Sequence, residues 1–235
     1  MKLINIEMKF LIFAFLLLSF TLYAQSDFEK GEKLFRQKKL TEAKVLLDNA
    51  VKMNSKNYEA IELLGDIAGQ QKKWDDALSQ YRILRDNFPS NANFQYKFGG
   101  ALGMKAKDAN KFKALEMLDE VEGSFLKAAK LDPKHIEARW ALVIYYLEIP
   151  GILGGSEKKS QKYANELMAI SQVDGYLADG HIAEYFKRYE IAEKYFIKAH
   201  EIGKSPKTFQ RLYDLYIKKL KNPEKAKNLK EQFEK

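Results

Sequence analysis

No cysteine occurs among the 235 residues, which excludes disulfide bonds, thiol catalysis and the lipid-modified cysteine that begins a bacterial lipoprotein. Histidine is also scarce, and the three present, His135, His181 and His200, lack the paired spacing of a metal site. His181 and Glu184 could share a helix face, but such a pair is far more often an ordinary surface pair than a set of ligands. No serine has the nucleophile-elbow context, and no phosphate-binding loop with its lysine is present. We therefore predict no catalytic residue, no cofactor and no metal site.

Long apolar runs are absent apart from residues 10–24, which follow Lys2 and Lys9. This run is 15 residues long, shorter than the roughly 20 residues needed to span a bilayer. The pattern is typical of a secretory signal peptide cleaved after Ala24, with either Met1 or Met8 as the start. A buried first helix and an uncleaved membrane anchor are the alternatives. We expect an exported, periplasmic protein without stable membrane insertion after cleavage; secretion or anchoring by an uncleaved signal is the alternative location.

The formal net charge is +8, and its excess is concentrated near the C-terminus. Six lysines carry this excess: Lys218, Lys219, Lys221, Lys225, Lys227 and Lys230. A solvated face on the last helices explains such a cluster more simply than an anionic partner does. Since the chain also lacks a nucleic-acid-binding motif, we predict no nucleic-acid partner.

Small residues recur at a fixed interval along the chain. Gly31, Gly65 and Gly99 are 34 residues apart, and the same interval separates Ala192 from Ala226. This period is typical of helical hairpin repeats, in which a small residue lets two antiparallel helices approach closely. Gly65 is therefore predicted to be buried against a neighbouring helix.

The residues around Gly65 identify a family. Leu64-Gly65, Ala68, Trp74-Asp75-Asp76-Ala77, Tyr81 and Phe88-Pro89 together resemble a tetratricopeptide repeat, and the chain as a whole resembles exported bacterial proteins of that family. The resemblance implies an all-α fold, a right-handed α-solenoid of antiparallel helix pairs forming a superhelix. It implies about six repeats, of which the third and fourth are lengthened. We expect a signal peptide at residues 1–24 followed by one tetratricopeptide-repeat domain at 25–235.

In tetratricopeptide arrays the first helix of each repeat lines a concave face. Extending the register along the chain predicts an apolar and aromatic strip on that face, formed by Tyr96, Gly100, Met104, Trp140, Ile144, Leu147, Leu177, His181 and Tyr185. The N-terminal part of the same face is expected to be acidic, because Glu32, Glu59, Glu62 and Asp66 lie there. Such a strip suits recognition of a peptide or a partner helix, although packing of neighbouring helices against it is an equal alternative. The hypothesis is a non-enzymatic exported scaffold that binds a protein or peptide in cell-envelope assembly or maintenance.

A glycine-rich segment at residues 150–156 interrupts the fourth repeat. Pro150 should end one helix and Ser156 should cap the next. One interpretation is a wide turn; the other is a small anion site formed by the backbone N–H groups of Gly154, Gly155 and Ser156. The second interpretation supports an alternative function, a small-ligand-binding protein or minor enzyme that uses this loop with His181.

Overall fold

The computed structural model describes residues 27–234, and within this range every regular element is helical and no residue lies in a β-strand. The first helix, α1, covers residues 27–36. The next five are α2 (Leu40–Met53), α3 (Tyr58–Gln70), α4 (Trp74–Asn87), α5 (Ala92–Asp108) and α6 (Lys111–Leu131). These are followed by α7 (Ile136–Glu148), a 3₁₀ turn (Gly151–Leu153), α8 (Glu157–Ile170), α9 (Gln172–Tyr185) and α10 (Tyr189–Gly203). The last elements are α11 (Pro206–Asp214), a π-helical turn (Leu215–Lys219) and α12 (Pro223–Phe233).

Over the described part of the chain, short connections join the helices in six successive pairs. The chain divides into two compact units, an N-terminal unit ending at Leu118 and a C-terminal unit beginning at Asp119. In the N-terminal unit α3 packs on α2 and α4, and α4 packs on α5. In the C-terminal unit each helix from α7 to α10 packs on the next, and α7 also contacts α9. This arrangement confirms the predicted all-α fold of stacked helix pairs.

Small residues permit the close approach of paired helices, as their period predicts. A Cβ atom added at Gly65 would lie 2.5 Å from Cε1 of Tyr81, and one added at Gly180 would lie 2.3 Å from Cε1 of Phe196. Both aromatic rings are buried and belong to the second helix of the same pair. The ring thus fills the space that a side chain on the first helix would occupy.

We predict that Gly65→Ala lowers the free energy of unfolding by about 1–3 kcal/mol, because the new methyl group overlaps the Tyr81 ring. Gly100 is the matched control, since a Cβ atom there meets no atom within 4 Å. Gly100→Ala should leave stability unchanged or raise it by up to about 1 kcal/mol through helix propensity. Chemical denaturation measures both. Equal midpoints for the two variants would show that Gly65 is not held against Tyr81.

The lengthened repeats differ in where the extra residues lie. In the third repeat both helices are longer, with 17 residues in α5 and 21 in α6, compared with 13 in α3 and 14 in α4. In the fourth repeat the helices keep their ordinary length, and the extension is the connection between Glu148 and Glu157. As expected, Ser156 caps α8: its hydroxyl accepts a hydrogen bond from the Lys159 N–H.

Lysine occupies the left-handed residue in four of the turns that join the two helices of a pair. These are Lys38, Lys72, Lys187 and Lys221, with φ of 63°, 58°, 59° and 54°. A left-handed residue commonly ends a helix, although glycine is its usual occupant. Lys38 and Lys72 are 34 residues apart, as are Lys187 and Lys221. The turns therefore repeat with the same period as the small residues, which the sequence analysis did not detect.

The C-terminal lysines are exposed on the last helix pair, as expected for a solvated face. Lys218 pairs with Asp214 at 3.0 Å and Lys225 with Glu193 at 2.6 Å. The predicted signal peptide at residues 1–24 lies outside the described residues, so its cleavage and the domain bounds at 25–235 stay predictions. Among residues 27–234, no helix is both long and apolar enough to cross a membrane.

Candidate peptide-binding surface

Residues from α7 and α9 meet on one surface of the C-terminal unit, which we call the first-helix face. It comprises the outward side chains of α7, α9 and α11. The Trp140 indole N–H donates a hydrogen bond to Oδ1 of Asp174 at 2.9 Å. The Trp140 and His181 rings lie with their centroids 6.4 Å apart. Two of the residues predicted for the strip, Trp140 and His181, are thus brought together because α7 contacts α9.

Two cations from α11 complete this surface, and the sequence analysis did not anticipate them. Lys207 places its ammonium 3.1 Å from Oδ1 of Asp174 and 5.7 Å from the centroid of the Trp140 ring. The Arg211 guanidinium donates to Oε2 of Glu184 at 3.2 Å and lies 3.1 Å from Nδ1 of His181. The only sequence signal for these contacts is their separation from α9 by nearly one repeat length. Side chains of three consecutive first helices are therefore linked by one polar network.

The network has defined protonation states. Burial and then the neighbouring Arg211 charge lower the pKa of His181 to about 4, although Glu148 acts in the opposite direction. Burial alone would raise the pKa of Asp174, but hydrogen bonds from Trp140, Ser171 and Lys207 keep it below its ordinary value. At neutral pH His181 is uncharged and Asp174 is ionised. The neutral Nδ1 can accept the Arg211 hydrogen bond, so the histidine is a structural acceptor in this network.

We predict that His181 makes the fold less stable as the pH falls. Its pKa is about 4 in the folded chain against an ordinary value of 6.5, so between these values the unfolded chain binds a proton that the folded chain does not. The free energy of unfolding should therefore drop by about 2 kcal/mol between pH 7 and pH 5 through this residue alone. Denaturation of the parent and of His181→Gln at both pH values isolates the contribution. An identical drop in the two proteins would contradict the assignment.

The other residues predicted for the strip divide into three groups. Tyr185 is 47% exposed and packs edge-on against Phe186, and Ile144 is half-buried on the same side of α7 as Trp140. Leu147 and Leu177 are buried instead, at 5% and 1% exposure, so their expected place on an open face is wrong. The reason is that α9 packs against three helices, α7, α8 and α10. More of the surface at this contact is therefore buried than where a helix has only two neighbours.

Tyr96 and Met104 lie on α5 in the N-terminal unit, where Tyr96 is half-buried and Met104 is 39% exposed. Two of the four carboxylates expected to make that region acidic are paired within the chain. The Lys97 ammonium lies 2.6 Å from Oε1 of Glu62 and 2.7 Å from Oδ1 of Asp66. Because one cation on α5 pairs with two carboxylates of α3, the negative charge of this part of the surface is reduced.

The backbone of the glycine-rich segment is occupied by its own hydrogen bonds. The N–H of Gly154 donates to Gly151 O at 3.1 Å, that of Gly155 to Pro150 O at 3.2 Å and that of Ser156 to Tyr146 O at 2.9 Å. All three donors proposed for an anion are therefore engaged within the chain. The segment is therefore a wide turn. Its three N–H groups already donate within the chain, which argues against the anion site.

An open groove of about 570 Å³ in the N-terminal unit was not found from the sequence. Trp74 forms part of its wall, and the indole N–H donates to Oδ2 of Asp108 at 2.6 Å. Lys105 pairs with Asp75 beside it. The groove lies between the α3–α4 and α5–α6 connections, and its remaining lining residues are Lys72, Lys73, Asp76, Ala109, Asn110, Lys113 and Met117.

Comparison with known families supports the repeat register. A family model described as tetratricopeptide repeat matches residues 28–92 and 62–102. Residues 28–102 carry tetratricopeptide repeats. The match covers the first two helix pairs and α5 up to its middle, which includes the Leu64-Gly65 and Trp74 to Ala77 signature.

Solved structures with similar folds include other tetratricopeptide-repeat proteins. A thermophilic protein of this kind from Thermus thermophilus has a TM-score of 0.67 and 16% identity, covering 83% of this chain and 99% of its own. PilW, a widely conserved type IV pilus biogenesis factor, has a TM-score of 0.65 and 18% identity, covering 89% and 91%. PilF of Pseudomonas aeruginosa has a TM-score of 0.60 and 15% identity, covering 91% of each chain. At these identities the likeness shows the fold alone. No curated protein matches the sequence.

His181 and Glu184, the pair that the sequence analysis considered as ligands, lie beside α11. Both side chains contact the Arg211 guanidinium. Within residues 27–234, no three histidine, aspartate or glutamate side chains are grouped so that they could hold a metal. The chemistry that the first-helix face offers is hydrogen bonding and aromatic contact.

Proposed function

We propose that the protein is a non-enzymatic scaffold that binds a protein or peptide partner through the first-helix face of its C-terminal unit. The observation that carries the proposal is the network joining Trp140, Asp174 and Lys207 across three consecutive first helices. The network fixes the orientation of the indole before a partner arrives. A fixed aromatic side chain loses little entropy on binding, which is a property of binding hot spots.

The chemistry of the surface indicates the class of partner. Trp140, Ile144 and Tyr185 offer apolar and aromatic contact area, while the partly exposed Lys207 and Arg211 offer donor groups beside it. A peptide or helix with apolar side chains flanked by an acidic residue would match this arrangement. Since Lys207 and Arg211 already pair with Asp174 and Glu184, the acidic residue contributes orientation more than affinity.

An exported location and a role in cell-envelope assembly or maintenance form the second part of the proposal. The apolar run at residues 10–24 supports export. PilW, which shares the fold, is described as a type IV pilus biogenesis factor. The small-ligand or enzymatic alternative lost its main support when the N–H groups of the glycine-rich segment proved to be engaged.

Crosslinking in intact cells followed by purification of the tagged full chain tests the binding proposal. We expect a specific protein to be captured by the parent and lost when the first-helix face is altered. Capture of the same protein by both forms would place the binding surface elsewhere on the chain.

Export is tested separately by the intact mass of the protein from the periplasmic fraction. We predict a mature chain that begins at Gln25, because the apolar run ends at the small residue Ala24. A mass that retains residues 1–24, or recovery only with the inner membrane, would contradict cleavage.

A further inference from the structure

Three connections of the C-terminal unit lie at the same end of its helices. They are residues 149–156 between α7 and α8, 186–188 between α9 and α10, and 220–222 before α12. They share one end because each joins the first helix of a pair to the antiparallel second helix. Ion pairs hold neighbouring pairs together at this end: Glu157 with Arg188, and Glu193 with Lys225. We call this end, with the helix termini that border it, the turn edge.

Apolar side chains stand exposed at the tips of the turn edge. Ile152 is 94% exposed, Leu153 is 42% exposed and Phe186 is 41% exposed. The loop that carries Ile152 is a defined structure. Its N–H groups are engaged, and a Cβ atom at Gly155 would lie 1.7 Å from the Ile149 carbonyl oxygen, so only glycine permits the turn. Ile152, with Leu153 beside it and Phe186 on the next connection, therefore adds exposed apolar area to this end of the unit.

The turn edge is also more basic than the opposite end of the same unit. Residues 148–159, 186–190 and 218–225 contain eight lysines or arginines and four glutamates. Three of the eight cations, Arg188, Lys218 and Lys225, are engaged in ion pairs, the last two with Asp214 and Glu193 just outside these ranges. At the opposite end, residues 131–137, 170–174 and 201–207 contain three lysines and four acidic residues. The excess of positive charge thus belongs to the same end as the exposed Ile152.

We propose that the turn edge docks on the surface of an anionic lipid bilayer. Ile152, Leu153 and Phe186 enter the headgroup and acyl boundary. The lysines outside these ion pairs, such as Lys158 and Lys187, face lipid phosphates. Peripheral binding of this kind needs both exposed apolar area and positive charge, since either alone gives weak attachment. The apolar groups stand at the tips of turns, so a protein partner would have to supply a pocket for each of them. A bilayer accommodates them without one.

This inference goes beyond the proposed function and is independent of it. The first-helix face is formed by the sides of α7, α9 and α11, whereas the turn edge is formed by their ends and connections. Docking through the edge leaves Trp140 available to a protein partner, whereas Tyr185, which contacts Phe186, lies at the border of the two surfaces. The scaffold would then hold its partner next to a membrane surface.

A dye attached at Ile152 tests the docking directly, because the chain contains no other cysteine to be labelled. Full-length Ile152→Cys carrying an environment-sensitive fluorophore is mixed with vesicles of phosphatidylglycerol and phosphatidylcholine in equal parts. We expect a blue shift of its emission, reversed by high salt. Ile202→Cys is the matched control, since Ile202 is 50% exposed at the opposite end. Its dye should not shift. A fluorophore at a defined residue is used because residues 10–24 could also bind lipid, and a measurement of total binding would not separate the two contributions.

Charge reversal tests the electrostatic half of the proposal. Lys158→Glu with Lys187→Glu, introduced into the labelled protein, should weaken binding to the anionic vesicles by about 30-fold or more. Lys134→Glu with Lys204→Glu makes the same change at the opposite end, and Lys204 shares the left-handed backbone of Lys187. The control pair should leave the titration unchanged.

Three outcomes would overturn the proposal. The Ile152 dye could remain unshifted on both anionic and phosphatidylcholine vesicles. It could shift equally with the Ile202 dye, which would show attachment without a preferred edge. It could also shift with protein concentration in the absence of lipid, which would identify a second copy of the chain as the occupant. None of these results bears on partner capture by the first-helix face, so the two proposals fail separately.

Discussion

Phe196→Ala is expected to lower the free energy of unfolding by about 3–5 kcal/mol, the largest loss from any single change considered for this chain. Phe196 is fully buried on α10, where its ring packs against Gly180 and lies under the Arg211 guanidinium at 5.1 Å. Around it the core of the C-terminal unit contains Leu177, Ala183, Ala192, Leu212 and Leu215. Gly180 has no side chain that could refill the space. Truncation of Phe196 therefore leaves a cavity between α9 and α10. Thermal or chemical denaturation measures the loss.

The matched control is Phe112→Ala, which removes the same atoms from a ring that is 82% exposed. That change should alter stability by no more than about 0.5 kcal/mol. A Phe196→Ala variant as stable as Phe112→Ala would mean that the ring is not the filler between α9 and α10. A second test is the pair Gly180→Ala and Phe196→Leu. Their combined effect should be smaller than the sum of the separate effects, since the smaller side chain makes room for the added methyl.

Trp140→Ala combined with Tyr185→Ala is expected to abolish copurification of the partner. Truncating aromatic anchors in an interface commonly costs about 2 kcal/mol or more of binding free energy, which is a loss of roughly 30-fold or more in affinity. Both residues sit on first helices, with Tyr185 exposed and Trp140 fixed by Asp174. Asp174 keeps its contacts to Ser171 and Lys207 in the variant, so the helices should remain folded. Circular dichroism checks this condition.

Trp74→Ala is the control for the loss of a tryptophan. Trp74 donates to Asp108 across the same 34-residue separation as Trp140 to Asp174, but it lies in the groove of the N-terminal unit. The partner should be retained by Trp74→Ala and lost by the double variant. If Trp74→Ala alone released the partner, the groove would be the binding site. A folded double variant that still binds the partner would show that the first-helix face is not the binding surface.

The period of small residues was sufficient to predict the helix pairs, because close approach of two helices is a local and repeated demand. Gly65 and Tyr81 show this: their contact lies within one pair, and the family pattern contains both residues. The same register placed Trp140 and His181 on one face, and their rings are neighbours in the stack. The cap at Ser156 was predicted from a different local signal, the proline and glycines that precede it.

The surface could not be derived in the same way. Leu147 and Leu177 were expected to be exposed because the register gives only the direction of a side chain, not the number of helices around it. Lys97 pairs with Glu62 and Asp66 through a contact between helices of different pairs, and no periodic signal marks that partner. The donors of Gly155 and Ser156 are occupied because the chain returns to Pro150 and Tyr146, a path that no local pattern indicates.

The left-handed lysines have a consequence for how such a chain can change in length. Lys38 and Lys72 hold nearly the same backbone angle at equivalent points of successive pairs, as do Lys187 and Lys221. A segment cut at one of these lysines and rejoined at the next would begin and end in the same turn. Duplication or loss of the 34 residues between two such lysines would therefore leave a left-handed lysine in the rejoined turn, whereas a change that began or ended at another residue would not. Helix pairs that are joined by this turn thus meet through backbone of the same conformation.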